Sequence, residues 1–210
     1  MSHLLVNKKY NFVERFENKM KENQKLYKAL KAICKILLKI LYRPKVEGTE
    51  NIPKKGGIIL VGNHKHAFDA PLVMTNTDRI VHYMAKESLF KGIHGKLLES
   101  IGIIKVYRTK SNPRAVTEAI DILKNGGVIG IFPEGTRNRT EQELLKFRYG
   151  AVAIAKQANV PIIPFAIRGE YKALRKGLNI EFGKPVEIVN LETEEANNYI
   201  KNEVLQLLRK

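Results

Sequence analysis

The residues best placed to do chemistry are Asn63-His64-Lys65-His66-Ala67-Phe68-Asp69, directly after the apolar run Gly57–Val61. A carboxylate bonded to one imidazole nitrogen fixes the ring's tautomer. It leaves the other nitrogen free to accept a proton and stabilises the imidazolium that results. No serine or cysteine stands nearby as a covalent nucleophile. The pair His64 and Asp69 therefore reads as a general base for a substrate hydroxyl, a device worth about 10²–10⁴-fold in rate. Five positions correspond to roughly 140° around a helix, so one continuous helix would splay the two side chains. They meet only if the chain turns between them. Asp69-Ala70-Pro71 supplies that turn, with Asp69 a candidate helix N-cap and Pro71 suited to a first helical turn. The bland alternative is a turn histidine beside a capping aspartate. His64, His66 and Asp69 also resemble the start of an H-x-H-x-D metal cluster. The carboxylate comes one position late and only His82 and His94 follow, so no metal is expected.

Three further segments place polar residues beside apolar runs. Phe132-Pro133-Glu134-Gly135-Thr136-Arg137 follows Val128–Phe132 and contains a tight-turn tripeptide. Arg137 offers a planar fork to phosphate, and Glu134 accepts from a hydroxyl or orients the arginine; the alternative is a structural ion pair. Gly102-Ile103-Ile104-Lys105-Val106-Tyr107-Arg108 is a short strand ending in a second arginine. Arg108 is a surface charge or, with Arg137, half of a phosphate clamp. Val160-Pro161-Ile162-Ile163-Pro164 reads as an edge or bent strand, since proline interrupts a sheet ladder.

The elements that must carry these residues alternate. Strands are predicted at Gly57–Val61, Ile80–Met84, Ile103–Val106, Val128–Phe132, Ile162–Ile167 and Asn179–Phe182. Helices are predicted at Ala70–Thr75, Leu89–Ser100, Pro113–Asn125, Phe147–Ala158 and Glu194–Leu208. Asn112 is the candidate cap of the helix at Pro113. Alternation implies a single α/β domain with a mixed, largely parallel sheet flanked by helices, over residues 45–210. Strand ends are where such sheets place their sites.

Residues 1–44 differ from this. The 210-residue chain carries a net charge of +16, and residues 1–45 hold 12 Lys/Arg against three Glu. Lys25–Leu41 places Lys25, Lys28, Lys31, Lys35 and Lys39 within an arc of about 120°. Leu26, Leu30, Ile33, Leu37, Ile40 and Leu41 cover the opposite side. No apolar stretch approaches the ~20 residues a spanning helix needs. The expectation is an N-terminal amphipathic helical segment in the headgroup plane of an anionic membrane, with lysines worth about 1 kcal/mol each. Lys28, Lys31, Lys35, Lys39, Leu30, Ile33, Leu37 and Ile40 would make that contact. The alternative is a helix packed on its own domain. Asn11–Asn23 offers a second, more polar helix, and Arg43-Pro44 ends the segment. Met1–Tyr10 lacks the pattern of a signal peptide, and the single Cys34 excludes an internal disulfide. Without a basic aromatic platform, a nucleic-acid partner is not expected.

In this order the segments resemble the glycerolipid acyltransferases, above all those acting on 1-acylglycerol 3-phosphate. Asn63-His64 through Asp69 is similar to their N-H-x-[ST]-x-x-D block, and Gly102–Arg108 to G-x-I-x-[IV]-x-R. Phe132–Arg137 matches F-P-E-G-T-R throughout, and Val160–Pro164 is similar to V-P-[IV]-[IV]-P. The blocks span residues 63–164, about half the chain. The resemblance implies His64 as base and Asp69 as its orienting partner, with Arg108, Glu134, Gly135 and Arg137 binding the glycerol phosphate. Lys86, in a block between the first two motifs, would contact an oxyanion or phosphate. It further implies acyl-CoA or acyl-carrier-protein thioesters as co-substrate, no cofactor or metal, and lysophosphatidate as acceptor in phospholipid biosynthesis. The place of action would be the cytoplasmic face of a membrane, peripheral or monotopic. Another lysophospholipid or glycerol 3-phosphate would suit the same chemistry. A basic scaffold that binds membrane or nucleic acid without turnover is the reading from a different class. Two departures stand out: His66 occupies the usual Ser/Thr position, and Ser88 a usual Glu.

Overall fold

The computed structural model describes residues 24–107 and 112–210. The candidate helix Asn11–Asn23 and Arg108 lie outside these residues.

Helix α1 covers residues 24–42. It stops where Arg43, held before Pro44, takes a left-handed conformation with φ 44°. Strands then alternate with helices: β1 Lys45–Glu47, β2 Ile58–Gly62, α2 Asp69–Thr75, β3 Val81–Lys86, α3 Gly92–Ser100, β4 Ile104–Val106 and α4 Pro113–Lys124. The chain continues through β5 Val128–Ile131, α5 Gly150–Ala158, β6 Ile162–Arg168, β7 Asn179–Phe182 and α6 Thr193–Leu208.

The strands form one seven-stranded sheet in the order β1-β7-β6-β2-β5-β3-β4. β6, β2, β5, β3 and β4 pair in parallel, whereas β7 runs antiparallel to β6 and parallel to β1. This is the single α/β domain with a mostly parallel sheet that the alternation implies. β2 is apolar and buried throughout because both its faces are covered. Ile58 and Leu60 join one core with Tyr27, Leu38 and Tyr42 of α1 and Leu72 and Val73 of α2. Ile59 and Val61 join the other with residues of α4, α5 and α6.

Helix α1 therefore packs on the sheet, and it carries two apolar stripes. Tyr27 and Leu38 are only 2% and 5% exposed, while Ile33 and Ile40 on the neighbouring stripe are 54% and 57% exposed. Leu26 and Leu37 are exposed with them, and Leu30 is half-buried between the two stripes. Lys28, Lys35 and Lys39 face solvent. Lys31 instead turns inward and donates from Nζ to the Thr77 carbonyl beyond α2.

Four expectations need correction. β1 has no counterpart in the sequence reading, since Lys-Val-Glu holds one apolar residue. β6 is an interior strand, not an edge. Pro164 fits there because its nitrogen points, like that of Ile162, toward the β7 side. On that side pairing with β7 starts only at Phe165, and the chain bulges through Gly183 before Val186 bonds Ile162. The third concerns Asn112, which makes no cap bond; its Oδ1 accepts from the Tyr107 N–H at 2.7 Å. Finally, α3 starts at Gly92, after a separate 3-10 turn Glu87–Leu89, and α5 starts at Gly150, leaving Phe147 as a buried loop residue.

Candidate active site

β2 delivers its chain end to the middle of the sheet, between β5 and β6, and Asn63 fixes it there. The buried Asn63 amide donates from Nδ2 to the Ile167 carbonyl at 2.9 Å, and its Oδ1 accepts from the Ile167 N–H at 2.8 Å. This two-bond clamp on β6 sets the take-off direction of the next residue, His64.

The chain then turns so that His64 Nδ1 lies 2.9 Å from Oδ2 of Asp69. The same oxygen accepts from the Lys65 and His66 backbone N–H groups, each at 2.7 Å. Asp69 is thus no N-cap of α2: it forms no cap bond and bends back over the turn that precedes it. Its other oxygen, Oδ1, accepts from the Tyr171 hydroxyl at 2.7 Å. The carboxylate is fully buried. With Nδ1 committed to Asp69, the proton-accepting nitrogen is Nε2 on a partly exposed ring. Phe132 stacks on that ring with centroids 4.2 Å apart and planes at 20°.

Glu134 comes from the turn after β5 and is buried. Oε1 accepts from the His64 N–H at 2.7 Å and Oε2 from the Leu145 N–H at 2.9 Å. Burial pushes its carboxyl above the ordinary value, against the two N–H groups that favour the charged form. Glu134 therefore braces the backbone of His64, and the structural ion pair with Arg137 that the sequence left open is not made among the described residues. Gly135 has φ 67°, and an added Cβ would lie 2.8 Å from Arg148 Nε. The left-handed turn conformation calls for glycine there, whereas the Arg148 side chain is long enough to move aside.

Arg137 is exposed after this turn, and Lys86 is exposed at the end of β3. Neither has an ion-pair partner among the described residues. His64, Glu134 and Lys86 thus come to the carboxyl ends of parallel strands β2, β5 and β3, the usual location of a site in such a sheet. At the opposite end, burial holds His82 below its ordinary value; Nδ1 lies 2.9 Å from the Gly102 carbonyl. An added Cβ on Gly102, at φ 80°, would lie 2.6 Å from that ring nitrogen, a packing reason for the glycine of the block ending at Arg108.

His66 turns away from the pair. Its ring stacks on Tyr171, 4.3 Å between centroids at 22°. Among the described residues no group of three or more His, Cys, Asp and Glu is placed to hold a metal ion. Reading the sequence left Tyr171 and the bracing roles of Asn63 and Phe132 unassigned. Asn63 and Phe132 lie inside quoted motifs, whereas Tyr171 sits in the polar stretch Gly169-Glu170-Tyr171-Lys172 with no local signal.

Residues 43–168 match the profile of the family described as Acyltransferase. A Bacillus subtilis 1-acyl-sn-glycerol-3-phosphate acyltransferase is 32% identical over 146 residues, covering 69% of this chain and 72% of that protein. The Borreliella burgdorferi enzyme of the same name is 35% identical over 147 residues, covering 68% of this chain and 58% of its own length. The crystal structure of the 1-acyl-sn-glycerophosphate (LPA) acyltransferase PlsC from Thermotoga maritima superposes with a TM-score of 0.68 at 28% identity. The match covers 91% of this chain and 80% of that one. The chain belongs to the Acyltransferase family and is an enzyme that transfers acyl groups.

Proposed function

We propose that the chain transfers an acyl group from an acyl-CoA or acyl-carrier-protein thioester to the free hydroxyl of lysophosphatidate, giving phosphatidate. The observation that carries this reading is the His64–Asp69 pair, with Nδ1 2.9 Å from a fully buried carboxylate. Nε2 of His64 takes the proton as the hydroxyl oxygen attacks the thioester carbonyl. The new C–O bond forms, a tetrahedral oxyanion collapses, the C–S bond breaks, and the thiolate leaves with the proton returned by the imidazolium. Arg137 grips the acceptor's phosphate, with Arg108 as its candidate second arm and Lys86 within the same set of strand ends. Gly135 gives the phosphate close access to the turn. Glu134 acts on the acceptor indirectly, through the backbone of His64.

The place of reaction is a membrane surface, at its cytoplasmic face. The exposed stripe Leu26, Ile33, Leu37 and Ile40 on α1, flanked by Lys28, Lys35 and Lys39, supports an interfacial rather than a spanning mode. No helix among the described residues is long and apolar enough to cross a membrane. The outward lysines, Lys25 included, contribute about 4 kcal/mol near an anionic leaflet.

The test offers labelled acyl-CoA and acyl-carrier protein to the purified chain, with lysophosphatidate, other lysophospholipids and glycerol 3-phosphate as acceptors. Lysophosphatidate is expected to give the highest kcat/KM, and His64→Ala to remove at least about 10²-fold of it. Full transfer by His64→Ala would overturn the mechanism, and preference for another acceptor would overturn the substrate.

A further inference from the structure

We propose that Tyr171 is a positioning residue for the His64–Asp69 pair, its hydroxyl fixing the one carboxylate oxygen that the motif itself leaves unheld. All the donors supplied from within residues 64–69 converge on Oδ2. Oδ1 receives its bond from Tyr171, far along the chain on the connection between β6 and β7. Without that hydroxyl a fully buried, charged oxygen would lack its donor, and the carboxylate would be held from Oδ2 alone.

The ring of Tyr171 is held from two sides. His66 stacks on one face, and Tyr42 at the end of α1 meets it edge-on, with centroids 5.3 Å apart at 85°. The loop is tied at two more points. Lys65 Nζ donates to the Gly169 carbonyl, and the Leu174 N–H donates to the Leu41 carbonyl at 2.5 Å. These contacts give the His66 departure a physical use. An imidazole at this position offers Tyr171 a flat surface that a serine or threonine lacks. Burial and the Asp69 charge both hold the Tyr171 hydroxyl protonated, so it stays a donor across the working range.

The hydroxyl also sets how much carboxylate charge the imidazole feels. A donor on Oδ1 withdraws charge from Asp69 and weakens its hold on the imidazolium; removing the donor strengthens that hold. The other titratable groups facing the pair are Lys65, Glu134, Tyr83 and His66.

The proposal takes from the preceding section only that His64 is the base, and it is tested on Tyr171→Phe and on the full chain with 3-fluorotyrosine at position 171. Tyr171→Phe keeps the ring contacts and removes the hydroxyl, while fluorination makes the hydroxyl a stronger donor. Tyr171→Phe is expected to lower kcat about 10-fold with KM within about 2-fold. The acid limb of its pH profile should move up by roughly half a pH unit, and that of the fluorinated protein down. The downfield Nδ1 proton resonance of His64, recorded without substrate, should move in opposite directions in the two proteins. Unchanged kcat, acid limb and resonance in a folded Tyr171→Phe protein would overturn the proposal. So would shifts of the same sign in both proteins, which mark a packing effect. If Tyr171→Phe does not fold, the fluorinated protein decides alone. Opposite resonance shifts in a chain that leaves lysophosphatidate unacylated would uphold Tyr171 and overturn only the acceptor.

Discussion

The two sides of the site are built in opposite ways. On the base side, Asn63, Asp69 and Glu134 are buried, and their oxygens are filled by donors from the turn itself, from β6, from Leu145 and from Tyr171. On the side proposed to bind phosphate, Arg137 and Lys86 stand exposed, with no ion-pair partner among the described residues. The difference follows from when each side meets its ligand. A general base is useful only if its geometry is fixed beforehand, because reorganisation in the transition state would add to the barrier. A cation that grips phosphate gains from being unpaired in the free enzyme, since no internal ion pair has to break first.

Substitutions on the two sides should therefore fail differently. The largest effect is expected from Asp69→Asn, which keeps shape but loses the charge that orients His64. Its kcat should fall about 10³–10⁴-fold in a steady-state assay of thiol release. A loss confined to KM would erase the contrast. Next comes Asn63→Ala, which leaves the Ile167 N–H and carbonyl without partners. Urea unfolding should show about 2–3 kcal/mol less stability. Arg137→Ala should then raise KM for a phosphate-bearing acceptor about 10-fold, with kcat within about 3-fold and an unchanged urea midpoint. A stability loss as large as that of Asn63→Ala would show that Arg137 is part of the brace after all.

The smallest effect concerns pH. The folded Glu134 carboxyl holds its proton to higher pH than the unfolded one, so the folded form binds more protons across that window. Stability therefore falls as pH rises from the ordinary glutamate value of 4.5 through the raised folded value. The slope cannot exceed about 1.4 kcal/mol per pH unit for one group. Glu134→Gln should lose that slope while carrying a constant offset from its missing hydrogen bond. Urea midpoints measured from pH 4 to 7 on both proteins separate slope from offset.

Much of this arrangement was legible in the sequence because it is local. Apolar runs with helical periods between them specify a parallel sheet, and polar residues after β2 and β5 mark the site's end of it. His64 and Asp69 lie on one turn, so residue types and spacing offer the pair, and the ordered motifs that follow favour it over a turn histidine beside a capping aspartate. Glu134 was found but its direction was not, because nothing in Pro-Glu-Gly says whether a side chain points outward or under the neighbouring strand. Tyr171 escaped for the same reason in stronger form: it acts across a sequence separation that periodicity does not see. The apolar face read from the sequence, Leu26, Leu30, Ile33, Leu37, Ile40 and Leu41, omits Tyr27 and Leu38, the stripe that the sheet covers, since hydrophobicity alone does not say which side packs inward. β1 was missed because a three-residue edge strand needs only backbone pairing.

That edge strand has a consequence for how the protein comes into being. β1 follows α1 near the start of the described chain, yet its only strand partner among the described residues is β7, with Lys45 opposite Asn179. The last strand must be made before the first can pair, a high-contact-order closure of the kind that slows folding. During synthesis α1 emerges long before the β6 and β7 residues that help to cover its inner stripe. The nascent chain thus shows both apolar stripes of α1 at once, for as long as the ribosome takes to reach β7. A lipid surface or a chaperone that engages this helix would find its strongest binding form before the enzyme is complete.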